Sequence, residues 1–347
     1  MTAGAELSRF FPTVLRRRPA PRPGGRTGRV RAARIPYCCP VCSSQGARRE
    51  EETRRTVMTD IEPARFREGG QRHRRLMLSA MVVGTLLAVP ALSAATSAGS
   101  VAAPHAATAS ATPSTPKPTV VLVHGAFADS SSWDGVTARL ERQGYPVIGV
   151  ANPLRGLAGD SAYVSSVLDT VPGPVVLAGH SYGGAVITDA AAGHADVKAL
   201  VYIAAFAPDQ GESGLAILGQ YPGSRLPPAL TVREFPGGQD AYVNPADFRQ
   251  VFAADVPAGK ARLMAAGQRP VALAAFAEPS STPAWKTIPS WFLVAGADQA
   301  IPPTAERAMA RRAGSHTEVV RGASHAVPVS HPGATAHVIE AAARATS

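Results

Sequence analysis

From Thr119 onward the chain alternates short, unbroken apolar runs with longer stretches of helical spacing. Residues 119–124, Thr-Val-Val-Leu-Val-His, are stopped by Gly125. They have the β-branched, unalternating composition of a strand buried on both faces of a parallel sheet. A helical pattern over 132–143 ends at Gly144, where a terminator is expected. Residues 145–150 predict a second strand, 162–168 a second helix and 174–178 a third strand, which runs through Gly179-His180-Ser181-Tyr182-Gly183 into a helix reaching about 192. A fourth strand is expected at 197–204. Further on, 290–295 and 317–320 read as strands, and 305–313 and 334–343 as helices. Strands alternating with helices at this spacing predict βαβ units. The expected class is therefore α/β, with a mostly parallel twisted sheet and helices on both faces.

The alternation stops after Pro208. Residues 209–287 are rich in Pro and Gly, with Phe248, Phe252, Leu263, Met264, Phe276 and Trp285 scattered among short amphipathic pieces. Because the sheet pattern then resumes, this segment is expected to be an inserted, mainly helical cap on a core formed by 119–208 and 288–347. Most of its apolar residues should form the cap's own core, and a minority should line a pocket.

Composition changes the picture chiefly at the amino-terminal end. The 347-residue chain carries a formal charge of +10, which taken alone points to nucleic acid or an anionic surface. Its distribution argues otherwise. Residues 1–75 hold 18 Arg and no Lys against 7 acidic residues, whereas the rest holds 17 basic and 18 acidic residues. No nucleic-acid partner is expected for so neutral a body. The segment 1–75 reads as an Arg-rich leader, and 76–102 as the apolar run and small-residue cleavage region of an export signal. Arg74-Arg75 before Leu76-Met77-Leu78 resembles a twin-arginine signal, although no Ser or Thr precedes the pair and no Lys follows it. The run at 76–89 is short for a membrane span. Secretion with only transient membrane contact is expected, an uncleaved anchor being the other reading. Translation from Met58 would give an ordinary signal peptide. Residues 103–118, mostly Ala, Ser, Thr and Pro, read as a flexible linker. All three cysteines, Cys38, Cys39 and Cys42, lie in the leader; the Cys39–Cys42 spacing suits a zinc knuckle but lacks a second pair. No metal is expected, and the body has no cysteine for a disulfide.

The chemistry centres on Ser181. A Gly-x-Ser-x-Gly match is weak by itself, but this one sits between a predicted strand and a predicted helix, where a sharp turn can hold the serine in a strained conformation. A serine hydroxyl needs a base to take its proton, and histidine is the usual one. His325 falls in the loop beyond the last predicted strand, and Asp298 just beyond the strand before it. All three positions therefore belong at the carboxyl-end rim of a parallel sheet, where ligand sites form. The chain order is Ser181, Asp298, His325.

With Val123-His124-Gly125-Ala126, Gly179-His180-Ser181-Tyr182-Gly183-Gly184, Gly296-Ala297-Asp298 and Gly322-Ala323-Ser324-His325 in this order, residues 119–345 resemble the α/β-hydrolase fold family. The capped arrangement is similar to its serine esterases, near the hydroxynitrile lyase and methylesterase branch. The resemblance implies a Ser181–His325–Asp298 triad, an oxyanion hole from the backbone N–H groups of Ala126 and Tyr182, and no cofactor. It implies a carboxylesterase acting on small or medium apolar esters through an acyl-enzyme. A carbon–carbon lyase using the same triad, a perhydrolase side activity and a non-catalytic binding protein are the alternatives. His331 is the rival base and Asp209 the rival orienting acid. His180 and His124 are read as residues that shape the turn and the oxyanion loop, His194 and His337 as surface or capping histidines, and Asp129 with Ser130-Ser131-Ser132 as a helix start.

Overall fold

The structure, a computed structural model, describes residues 116–346. The Arg-rich leader, the export segment, most of the linker and all three cysteines lie outside the described residues. In chain order, β1 (Thr119–Val123), α1 (Asp134–Arg142), β2 (Val147–Val150), α2 (Leu157–Leu168), β3 (Val175–His180), α3 (Tyr182–Ala190) and β4 (Val197–Ile203) come first. The next elements are α4 (Gly214–Gln220), β5 (Leu230–Phe235), β6 (Gly238–Val243), α5 (Pro245–Phe252), α6 (Ala258–Ala266) and β7 (Val271–Ala272). The chain then returns through β8 (Ser290–Ala295), α7 (Pro303–Arg312), β9 (His316–Val320), α8 (Val327–Ser330) and α9 (Pro332–Ala345).

Six strands form one sheet in the order β2-β1-β3-β4-β8-β9, with every neighbouring pair parallel. Both faces are covered, which is why the strand sequences are continuously apolar. Successive side chains point to opposite faces. Val121, Leu177, Tyr202 and Phe292 pack with Val164, Ile187 and Met309 from α2, α3 and α7. Their neighbours Val120, Val176, Val201 and Leu293 pack with Val136 and Leu140 of α1 and Val338 and Ile339 of α9. Each such fully buried side chain contributes roughly 1.5–3 kcal/mol of hydrophobic stabilisation. The strand order reverses direction between β1 and β3, so the crevice at their carboxyl ends is a topological switch point.

Local departures from the sequence reading have physical causes. Helix α2 starts at Leu157 rather than 162, because Asp160, loop-like in sequence, turns inward and accepts the Arg155 N–H at 3.1 Å. Strand β2 starts at Val147, since the Tyr145 N–H is spent on Leu140 O at 3.0 Å, closing α1. The cap holds helices as expected, and also a three-stranded antiparallel sheet, β5-β6-β7, that was not. Pro236-Gly237, with Gly237 at φ 105°, makes its tight turn. Short helix α8 was likewise not expected.

The cap is tied to the core where the chain leaves and returns. Trp285 Nε1 donates to Pro208 O at 2.8 Å, and Asp189 at the end of α3 accepts from Ser280 Oγ at 2.6 Å and the N–H groups of Ser281 and Thr282 at 3.0 and 3.1 Å. Cap residues Phe248, Phe252, Val256 and Phe276 share one apolar cluster with Phe127 and Tyr182. One sheet-face core thus continues into the cap directly over the switch point.

Candidate active site

Ser181 stands between the last residue of β3 and the first of α3, with φ 54° and ψ −124°. A positive φ at a residue with a Cβ is costly and persists only where the surroundings enforce it. Here the Ser181 carbonyl accepts from the N–H groups of Gly184 at 2.9 Å and Phe206 at 3.1 Å. The flanking glycines allow three backbone segments to meet. A Cβ on Gly183 would lie 2.5 Å from Val123 O at the end of β1, and one on Gly125 would lie 2.6 Å from Ser181 Cβ. The end of β1 and the serine turn are therefore in direct contact.

Nε2 of His325 lies 2.8 Å from Ser181 Oγ, and its Nδ1 lies 2.6 Å from Asp298 Oδ2. With Nδ1–H donating to the carboxylate, Nε2 is the acceptor for the serine hydroxyl, an assignment that follows from the partners. The other Asp298 oxygen, Oδ1, accepts from the N–H groups of Ala300 at 2.6 Å and Ile301 at 2.9 Å. Ser181, Asp298 and His325 are 6%, 2% and 1% exposed, so water hardly competes for these bonds. Phe252 packs edge-on against the His325 ring at 4.8 Å between centroids, and Phe127 stacks with Phe276 at 6.3 Å.

The neighbouring histidines are neutral supports. Burial pushes His180 well below the ordinary histidine range, and its Nε2–H donates to the His325 carbonyl at 2.9 Å. Burial likewise brings His124 down to about 4; its Nδ1–H donates to Gly125 O at 2.9 Å while Nε2 accepts the Asn152 N–H at 3.1 Å. No hydrogen bond among the described residues engages the N–H of Ala126 or Tyr182. The Tyr182 hydroxyl donates to Asp160 at 2.9 Å, and burial raises its proton affinity further.

The rivals sit elsewhere. His331 pairs with Asp255 at 3.2 Å, and Asp209 pairs with Lys286 at 2.5 Å, a contact that holds the Asp209 carboxyl below its usual range. Asp129 accepts from the Ser131 N–H at 2.9 Å at a helix start. His194 contacts Ser165 Oγ at 2.7 Å and has Asp169 at 3.9 Å. That second Ser–His–Asp set lacks the same coupling: Asp169 is 71% exposed and beyond hydrogen-bond reach, and Ser165 is embedded in α2. His337 lies 3.8 Å from Glu318 on the surface.

Sequence reasoning missed Asp255, Asp160 and Glu306 around the site, and it named Phe252 only as one of the apolar residues of the cap. Asp255 accepts from Ser324 Oγ, Phe252 O accepts the Ala326 N–H at 2.9 Å, Asp160 anchors Tyr182, and Glu306 is fully buried beside β8. Glu306 sits on the face of α7 buried with Ala305, Met309 and Ala310, a burial that the charged sequence of that helix does not signal. Among the described residues, no group of three or more His, Cys, Asp or Glu is placed to hold a metal.

With this geometry in place, residues 120–338 of the chain match the model of a known family. The chain belongs to the alpha/beta hydrolase family. A carbendazim-hydrolysing esterase from Nocardioides sp. (strain SG-4G) is 34% identical over 131 residues, 34% of this chain and 52% of that esterase, so the match spans about half of that relative's length. Alpha/beta hydrolase nvfD of Aspergillus novofumigatus (strain IBT 16806) is 25% identical over 249 residues, 65% of this chain and 97% of the relative. Among solved structures, a pyrethroid hydrolase from Sphingobium faniae JZ-2 superposes with TM-score 0.55 at 24% identity, covering 66% of this chain and 98% of that one. Polyneuridine aldehyde esterase gives 0.57 at 19%, covering 65% and 98%. At these identities the two structures establish the alpha/beta hydrolase fold.

Proposed function

We propose that this alpha/beta hydrolase is a serine carboxylesterase for small to medium apolar esters. The observation that carries the reading is the unbroken line from Ser181 Oγ to His325 Nε2 at 2.8 Å and from Nδ1 to Asp298 Oδ2 at 2.6 Å. Along it, Ser181 attacks the ester carbonyl as its proton passes to His325, and Asp298 stabilises the resulting imidazolium. The N–H groups of Ala126 and Tyr182 receive the developing oxyanion, each such donor being worth about 3 kcal/mol in the transition state. His325 protonates the leaving alcohol, then activates the water that hydrolyses the acyl-enzyme, and the free hydroxyl is restored. No cofactor enters these steps.

Phe127, Phe252 and Phe276, close to the triad, support a preference for apolar acyl or alcohol groups. Esterase and hydrolase names among the relatives agree with an ester-cleaving role. The lyase alternative finds no support in the cap's two lysines: Lys286 is paired with Asp209, and Lys260 is exposed on α6. The coupled triad argues against a purely binding role. We further propose export, on the strength of the sequence 72–102.

Replacing Ser181 with Ala tests the reading. The variant is expected to fold normally and to lose p-nitrophenyl butyrate hydrolysis by about 10³-fold or more. Full turnover by Ser181→Ala would overturn it.

A further inference from the structure

Beside Asp298 stands a carboxyl that the reaction above does not use. Glu306 of α7 is fully buried, and its Oε2 accepts the N–H of Ala295, the last residue of β8, at 3.1 Å. Its Oε1 finds no donor among the described residues, and the Asp298 side chain is near enough to favour a proton on this carboxyl. Two ionised carboxylates repel at such proximity, whereas one shared proton makes it attractive. Asp298 already accepts from two backbone N–H groups and the His325 ring, so negative charge is better stabilised there. The proton then belongs to Glu306, which turns its orphan oxygen into a donor. Burial first, and the Asp298 charge second, push the Glu306 carboxyl well above the ordinary range. The groups facing it are Asp298 from the loop after β8, with His325 beyond, and Arg307 on its own helix.

We propose that Glu306 is a positioning residue of the active site: a neutral carboxylic acid that donates a hydrogen bond to Asp298 and holds it on His325. This rests on the triad reading above. The relay then runs Glu306–Asp298–His325–Ser181, with only Asp298 charged at rest. The donated proton fixes the Asp298 rotamer and spreads its charge.

Two variants test it. Glu306→Gln keeps an N–H donor and a carbonyl acceptor; Glu306→Leu keeps neither. E306L is expected to lose about tenfold to a hundredfold in kcat with little change in KM. Its acid limb of kcat/KM should move to higher pH, because a less delocalised Asp298 charge favours the imidazolium. E306Q should recover most of that loss and keep the acid limb at the wild-type position. If Glu306 were ionised instead, E306Q would delete a negative charge next to the Asp298–His325 pair and move the acid limb down by about a unit or more, which would overturn the proposal.

Thermal unfolding of the full chain gives a reading that needs no turnover. A carboxyl whose folded-state pKa is raised stabilises the fold fully below its unfolded value and loses that contribution as pH rises toward the folded value. Wild type should therefore lose Tm relative to E306Q as pH rises from about 4.3 toward neutrality. A difference in Tm that stays flat over that range would contradict a neutral Glu306. A protein without esterase activity but with the sloping Tm difference would sink the catalytic reading and leave the shared proton standing. If E306L fails to fold, the comparison of E306Q with wild type decides.

Discussion

A serine hydroxyl is too weak a nucleophile at neutral pH to open an ester unaided, so in the proposed mechanism Ser181 depends on the imidazole 2.8 Å away. That imidazole needs in turn an anion to hold its tautomer. Asp298→Asn preserves shape while offering Nδ1 no charge, and kcat is expected to fall by about 10³–10⁴-fold with the fold intact, as measured on a p-nitrophenyl ester. The turn itself is equally exposed to change. On Gly183→Ala the new Cβ would meet the Val123 carbonyl at 2.5 Å, a backbone atom that cannot swing aside. Such overpacking costs about 1–3 kcal/mol, and Tm should drop by several degrees in calorimetry. That Ser181, Asp298 and His325 meet at one rim was legible because each follows a recognisable apolar strand and carries distinctive chemistry. Glu306 was not, because an acid in a charged helix looks like a solvated residue until the packing of α7 on β8 is known.

At the scale of elements, the cap grips the histidine loop on both sides of His325. Asp255, just beyond α5, accepts from Ser324 Oγ, and Phe252 O at the end of α5 accepts the Ala326 N–H at 2.9 Å. Phe252 places its ring on the imidazole between these two bonds. The cap therefore helps to position the proposed base, His325, as well as covering the site. Asp255→Ala would leave the buried Ser324 hydroxyl without its carboxylate, a loss of about 1–3 kcal/mol that a shift in the urea midpoint should report. An unchanged midpoint would show that the clamp contributes nothing. Such tertiary contacts had no signature in the sequence. The β5-β6-β7 sheet left only a faint one, the Leu230-Thr231-Val232-Arg233 alternation and the Pro236-Gly237 turn amid other Pro and Gly. The core strands were legible for the opposite reason: burial on both faces forces unbroken apolar runs.

Across the whole molecule, the six-stranded sheet gathers the ends of β1, β3, β8 and β9 at one rim, and buried histidines lie beneath it. That arrangement fixes a pH response. His124 has its pKa lowered to about 4 by burial, so its contribution to stability is present above the unfolded value of about 6.5 and is lost as pH falls through that window. The loss amounts to at most about 3 kcal/mol from this residue. His180 acts in the same direction. Because the raised Glu306 carboxyl acts in the opposite sense over the same range, the test is a difference: the urea midpoint of wild type relative to His124→Gln should fall from pH 7 to pH 4.5, and a difference constant over that range would contradict a buried neutral His124. The expected topology, four core strands then a cap then two more, could be read from the order of patterns.

The central claim is that Ser181, and no other serine, is the nucleophile. Its most direct measurement is labelling with an organophosphate such as diethyl p-nitrophenyl phosphate, followed by peptide mass mapping alongside residual esterase activity. The account predicts one phosphoryl adduct, on Ser181, formed in step with loss of activity and slowed strongly in His325→Ala, while Ser165 beside His194 stays unmodified. Complete inactivation with the adduct on Ser165 or elsewhere, or undiminished labelling of Ser181 without His325, would contradict it.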